Sequence, residues 1–72
     1  MKYYKDTNQY RVIKHFKVEG KTWWWWEPIT DKPCWKKGLA DWNDTGWVRD
    51  SRYEVVEITK FEIMITHGAE AV

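Results

Sequence analysis

Four consecutive tryptophans, Trp23-Trp24-Trp25-Trp26, are the side chains of this sequence best equipped to act by contact. Indole rings stack on bases, sugars and cations, and they anchor protein interfaces because they bury large area with few rotatable bonds. Trp35, Trp42 and Trp47 bring the total to seven in 72 residues. No single surface can hold the run. In a strand, Trp23 and Trp25 face one way and Trp24 and Trp26 the other; in a helix, four successive positions sweep around the axis. A chain this short has room for about one core, so one pair of indoles needs a further cover. That cover is a loop of this chain, a second copy of it, or a ligand.

Lys14, Lys17, Lys21, Lys36 and Lys37 lie close to the tryptophans in sequence. Aromatic faces flanked by cations hold single-stranded nucleic acid, at ~1–3 kcal/mol per stacked base. Against that use stand a formal net charge of only +1 and the lack of any RNP-like pattern. The same indoles suit a protein interface, with Trp24 and Trp26 as apolar anchors and Trp35 and Trp42 as neighbours or lid. The first partner to expect is a second copy of the chain, which would complete a core too small for one. Carbohydrate stacking is the third use of such a surface.

Other chemistries find little support. Nucleophilic catalysis would need Cys34, the one cysteine, beside His15 or His67, and nothing in the spacing pairs them. Two histidines 52 positions apart with scattered carboxylates show no metal-ligand spacing. Asp41, Asp44 and Asp50 surround a turn, where Asp is an ordinary turn former. Gly20, Gly38, Gly46 and Gly68 stand alone, without a phosphate-binding fingerprint. The expectation is therefore no enzyme, no catalytic residue, no cofactor and no metal.

A lone cysteine forbids an intrachain disulfide and points to a reducing compartment. Met1 to Asp6 carry no apolar leader, and no apolar stretch is long enough for a membrane span. A cytoplasmic location and no membrane contact follow as expectations. Charge is divided along the chain. Residues 1–38 hold nine basic and four acidic side chains, a net of +5, and residues 39–72 hold three and seven, a net of −4. Pairing of a basic strand with an acidic one would account for this, as would a polar molecule suited to head-to-tail assembly or an anionic partner.

The elements that must position these residues read as strands. Tyr3-Tyr4 gives a short first strand before the Asp6-Thr7-Asn8 turn. Tyr10, Val12, Phe16 and Val18 share one parity and predict a half-buried strand. Gly20 supplies the positive φ of a tight hairpin, and Lys21 to Glu27 return as its partner until Pro28. Asp31 is a candidate cap for a short helix that would place Trp35, Leu39 and Trp42 on one face as a lid over Trp24 and Trp26. After Asn43–Gly46 the pattern predicts Trp47-Val48 leading into a strand over 53–58. Phe61, Ile63 and Ile65 then alternate as a last strand.

The sequence thus predicts a single small domain over residues 1–72, mainly β, with an α+β arrangement as the alternative. Its expected architecture is a small antiparallel sheet or barrel-like meander of four to five strands, with one short helix or ordered loop around residues 31–43. The expected role is a non-enzymatic interaction module of the regulator, inhibitor or accessory-subunit type, binding protein through its Trp-rich surface.

Overall fold

A computed structural model describes residues 1–72. The chain is mainly β, a five-stranded antiparallel sheet with two helices. The strands are β1 (Lys2–Asp6), β2 (His15–Glu19), β3 (Thr22–Glu27), β4 (Cys34–Lys37) and β5 (Val55–Ile58). They lie in the order β4-β3-β2-β1-β5. Single 3-10 turns cover Trp42–Asp44 and Ala69–Ala71, and the helices are α1 (Gly46–Arg49) and α2 (Lys60–His67). No helix is long and apolar enough to cross a membrane.

The order has a simple physical result. The first four strands form a meander, and the chain must then travel from the β4 edge to the β1 edge before β5 can pair. Residues 38–54 make that crossing over one face of the sheet. After β5, α2 turns back across the opposite face, from Ile58 beside Tyr3 of β1 to His15 of β2 and Trp26 of β3. Each face therefore receives one cover from the chain itself.

Register assigns the side chains. Phe16 pairs with Trp25 and Val18 with Trp23, which puts Phe16, Val18, Trp23 and Trp25 on one face. Tyr3, Lys17, Trp24 and Lys37 form one row on the other, with Trp26 opposite Trp35 beside it. The Phe16 face carries a core of Phe16, Val18, Trp23 and Trp42, with Tyr4, Ile13, Trp25, Trp47 and Val55 packed around it. The Tyr3 face carries a smaller core of Tyr3, Ile63 and Ala71, flanked by Trp26, Trp35 and Ile58.

The β2–β3 hairpin closes through Gly20 at φ +63°, as its sequence requires. Elsewhere the structure departs from the periodic reading. Tyr10 and Val12 belong to a loop and are exposed, not part of β2. That loop is organised by side-chain turns: Asp6 Oδ1 accepts from Asn8 N, and Asn8 Oδ1 accepts from Tyr10 N. Buried Asp6 also meets Arg11 at 3.3 Å, and the Arg11 guanidinium lies 4.1 Å from the Tyr53 ring centroid.

Within residues 31–43, the cap-and-helix expectation gives way to strand β4 and the Trp42–Asp44 turn. Trp35, Leu39 and Trp42 consequently share no face: Trp35 joins the Tyr3 face, Leu39 is fully exposed, and Trp42 is core under the Phe16 face. Gly38 follows β4 at a position with no room for a side chain. Its N–H donates to Trp23 O at 2.8 Å, and the Trp23 ring lies so close that a methyl group at Gly38 would overlap it. The lid carrying Trp42 therefore closes over Trp23 and Trp25, not over Trp24 and Trp26.

Residues 61–65 form most of α2 instead of a strand. Thr59 caps the helix, its Oγ1 accepting from Glu62 N at 3.3 Å, and Gly68 ends it at φ +97°. Of the three alternating residues only Ile63 is buried; Phe61 and Ile65 face solvent. Trp47-Val48 likewise fall in α1. The basic and acidic halves do meet as strands, β1 with Lys2 and Lys5 beside β5 with Glu57, but no charges stand directly opposite, since Lys5 faces Val56 and Glu57 faces Tyr4. Lys36 and Lys37 sit on β4 and Glu57 on β5, at opposite edges of the sheet.

Candidate functional site

The chain covers both faces of the Trp run, but unequally. On the Phe16 face, Trp42 and Trp47 close over Phe16 at ring-centroid distances of 5.5 and 4.6 Å. The Trp23 indole N–H donates to Ala40 O at 2.8 Å, so its one polar atom is satisfied by the covering segment. On the Tyr3 face, α2 and the Ala69–Ala71 turn reach Tyr3, Trp26 and Trp35. The Trp35 indole N–H donates to Ala71 O at 2.6 Å. Beyond them lies the row Lys17–Trp24–Lys37, in which Lys17 and Trp24 are partly buried and Lys37 is exposed.

Trp24 is half-buried between Lys17 and Lys37, its direct cross-strand neighbours. The Lys17 ammonium lies 5.2 Å from the Trp24 ring centroid and 4.9 Å from that of Trp35. An indole face attracts a cation through its quadrupole, by about 0.5–2 kcal/mol according to how far the pair is desolvated. Partial burial against the rings lowers the Lys17 pKa. Trp24, Trp35, Lys17 and Lys37 thus form one aromatic and cationic patch.

Of the other residues expected at a binding surface, Trp26 lies alongside the patch but is held by its neighbours. Trp35 meets it edge to face at 5.2 Å, and His67 stacks on it at 4.3 Å. Trp42 is core on the opposite face. Lys36 points to the Phe16 side of β4, Lys21 lies in the β2–β3 turn, and Lys14 precedes β2 opposite Asp6. Five of the nine expected residues therefore share the Tyr3 face and four do not. The Trp run itself is an interior strand, with β2 and β4 on its flanks, so it has no free edge to pair with a second copy.

The sequence reading missed the histidines. His67 Nε2 and His15 Nδ1 are 2.9 Å apart, one ring donating to the other, with the planes at 83°. Only one proton fits between them, so the contact needs at least one neutral ring. Burial first, then the adjacent His67, lower the His15 pKa to about 4, with Lys5 and Lys14 adding to the effect and Glu62 opposing it. Burial also lowers the His67 pKa. Near them Lys5 and Glu62 form an ion pair at 3.2 Å, tying α2 to β1. No local signal joins positions 15 and 67; their meeting is a product of the fold. The α2 start was legible, since Thr59-Lys60-Phe61-Glu62 is a capping-box pattern.

A cavity of ≈ 420 Å³ opens beside this cluster, lined by Trp26, Pro33, Cys34, Trp35, His67 and Glu70 among others. The fold thus brings Cys34 and His67 to one cavity, although His67 Nε2 is already committed to His15. No group of three or more His, Cys, Asp or Glu side chains is placed to hold a metal ion. Comparison with protein-family models, with curated proteins and with solved structures finds no match to this chain.

Proposed function

We propose that the chain is a non-enzymatic interaction module that engages a protein partner bearing carboxylates through the Trp24–Trp35–Lys17–Lys37 patch. One observation carries the reading: Trp24, only partly buried, stands between two lysines in a single cross-strand row, beside the rings that α2 covers. An indole at the centre of a patch rimmed by cations is the composition of an interface hot spot. Carboxylates suit the two ammonium groups, and the strand register sets the two lysines on either side of Trp24.

The Lys17–Trp24–Lys37 row also favours a second reading, single-stranded nucleic acid. Two facts weigh against it. Lys17 already occupies the space over Trp24 and Trp35 that a base would need. Lys14, Lys21 and Lys36 do not join the patch.

Titration of Trp fluorescence separates the two. A glutamate-rich peptide with an aromatic residue should perturb emission in the wild type and not in Trp24→Ala or Lys17→Ala, both of which should retain the wild-type far-ultraviolet dichroism. Trp26→Ala should instead destabilise the protein, because His67 and Trp35 pack on it. A response to oligo-dT that weakens steeply with salt, and none to the peptide, would transfer the site to the nucleic-acid reading.

A further inference from the structure

We propose that two copies of the chain join through the open edge of β5, in an antiparallel pair centred on Val56, to form a continuous ten-stranded sheet. The inference uses residues distinct from the Trp24 patch, so either can fail while the other stands.

The argument begins with the main chain. Thr7 N donates to Glu54 O at 3.0 Å, and positions 7 and 54 continue the register that sets Lys5 opposite Val56 and Tyr3 opposite Ile58. Backbone groups alternate in direction along a strand. Glu54, Val56 and Ile58 therefore turn their N–H and C=O groups towards β1, and Val55 and Glu57 turn theirs outward, to an edge with no strand beside it. These two residues are symmetric about Val56. Placing a second β5 antiparallel, with Val55 opposite Glu57 of the copy, pairs all four outward groups on each chain.

Side chains agree with this register. Val56 meets its own counterpart at a non-hydrogen-bonded position, where opposite Cα atoms are only about 4.5 Å apart and side chains touch. It is an exposed valine (45 %) on an edge, where a charge would normally discourage pairing. Glu57 meets valine, so no acid lies directly opposite an acid. The two-fold axis stands perpendicular to the sheet and keeps both α2 helices on one side. Phe61, in the first turn of α2 after β5, is 64 % exposed.

The other edge is built differently. On β4, Gly38 N donates to Trp23 O, so the same alternation leaves Trp35 and Lys37 outward and puts Lys36 at the centre of symmetry. A two-fold pair there would set Lys36 against itself. Head-to-tail joining of acidic β5 to basic β4 would match charges. It would, however, be a parallel pair, since β4 and β5 run in the same direction, and it would leave an edge open at each end of the assembly.

Sedimentation and cross-linking test the joint. The wild type should show a monomer–dimer equilibrium with a dissociation constant of about 10–1,000 µM, a small interface by area. Added salt should strengthen it, because Glu54 and Glu57 of the two copies repel. Val56→Lys should raise the dissociation constant by at least about 100-fold through like-charge juxtaposition, with the monomer still folded. In a Cys34→Ser background, Val56→Cys should form a disulfide dimer on mild oxidation, whereas Glu57→Cys should not, because it lies opposite Val55. A strict monomer at about 1 mM, equal cross-linking at both positions, or a ladder of species that weakens with salt would overturn the proposal. The last of these would favour the head-to-tail joint. Trp24→Ala should leave the dimer unchanged, and its loss in that variant would move self-association to the Trp patch.

Discussion

The two faces of the sheet carry equal shares of the Trp run and are closed in different ways. The Phe16 face is sealed by ring against ring: Phe16, Trp23, Trp42 and Trp47 lie within 6.2 Å of one another where they pair, and the one buried indole N–H in the group with a polar partner meets a carbonyl. The Tyr3 face is closed by an eight-residue helix, and much of its attachment is polar: the His15–His67 contact, the Lys5–Glu62 ion pair and the Trp35–Ala71 hydrogen bond. Apolar packing is indifferent to pH and tolerates no gaps; a polar clasp is weaker and responds to protons. The first face therefore serves as the foundation of the fold. The second has an adjustable cover and a partly buried remainder, and that remainder holds the candidate site.

Substitutions should separate the faces in order of severity. Trp42→Ala should cost about 3–5 kcal/mol, by loss of a large buried ring and the cavity left behind, close to the whole stability of so small a domain. Urea unfolding would measure it, and a loss below 1 kcal/mol would contradict the primacy of this face. Ile63→Ala, at the fully buried residue of α2, should cost about 2–5 kcal/mol. It should loosen α2 more than the sheet, so hydrogen exchange should rise on residues 60–71 while β2 and β3 stay protected. Uniform loss of protection would mean that the two faces are a single cooperative unit. Gly38→Ala, which places a methyl group against the Trp23 ring, should cost about 1–3 kcal/mol through overpacking.

The smallest effect is the most selective. His15 has a folded-state pKa of about 4, below its ordinary value of 6.5. The unfolded chain binds the proton more readily across that interval, so stability is complete above about pH 6.5 and declines as pH falls towards 4. Allowing for partial exposure, the loss is on the order of 1 kcal/mol. Thermal unfolding of the wild type should show this slope between pH 7 and 4, and His15→Asn should flatten it. An unchanged slope in that variant would show that the histidine clasp does not govern docking of α2.

Local chemistry made several elements legible. Tyr3-Tyr4, the Phe16/Val18 alternation and Gly20 each specify backbone through nearest neighbours, and β1, β2 and the hairpin formed accordingly. Phe61/Ile63/Ile65 misled because three apolar residues at alternate positions fit a short helix with one inward residue as well as a strand. The cap at Thr59 and the stop at Gly68 decided between them. Residues 34–37 have little intrinsic preference for strand; Trp35 and its neighbours became one because an exposed β3 offered unpaired backbone groups. The candidate site was half legible. Trp24, Trp35, Lys17 and Lys37 were expected together, while Trp42 was assigned to the wrong side and the histidine pair was not foreseen.

By itself, the sequence determined that Trp23 and Trp25 would oppose Trp24 and Trp26, because side chains alternate in any strand, and that the second pair would need a cover from a loop of the chain, a second copy or a ligand. Only the tertiary structure decided which cover went to which face. That choice follows from chain crossing: after β4 the path to β5 runs over one side of the sheet and the return through α2 over the other. It also set His15 beside His67, separated the basic edge from the acidic one, and left Trp24 between two lysines. These are relations between distant positions, fixed by register and topology, and no local propensity encodes them.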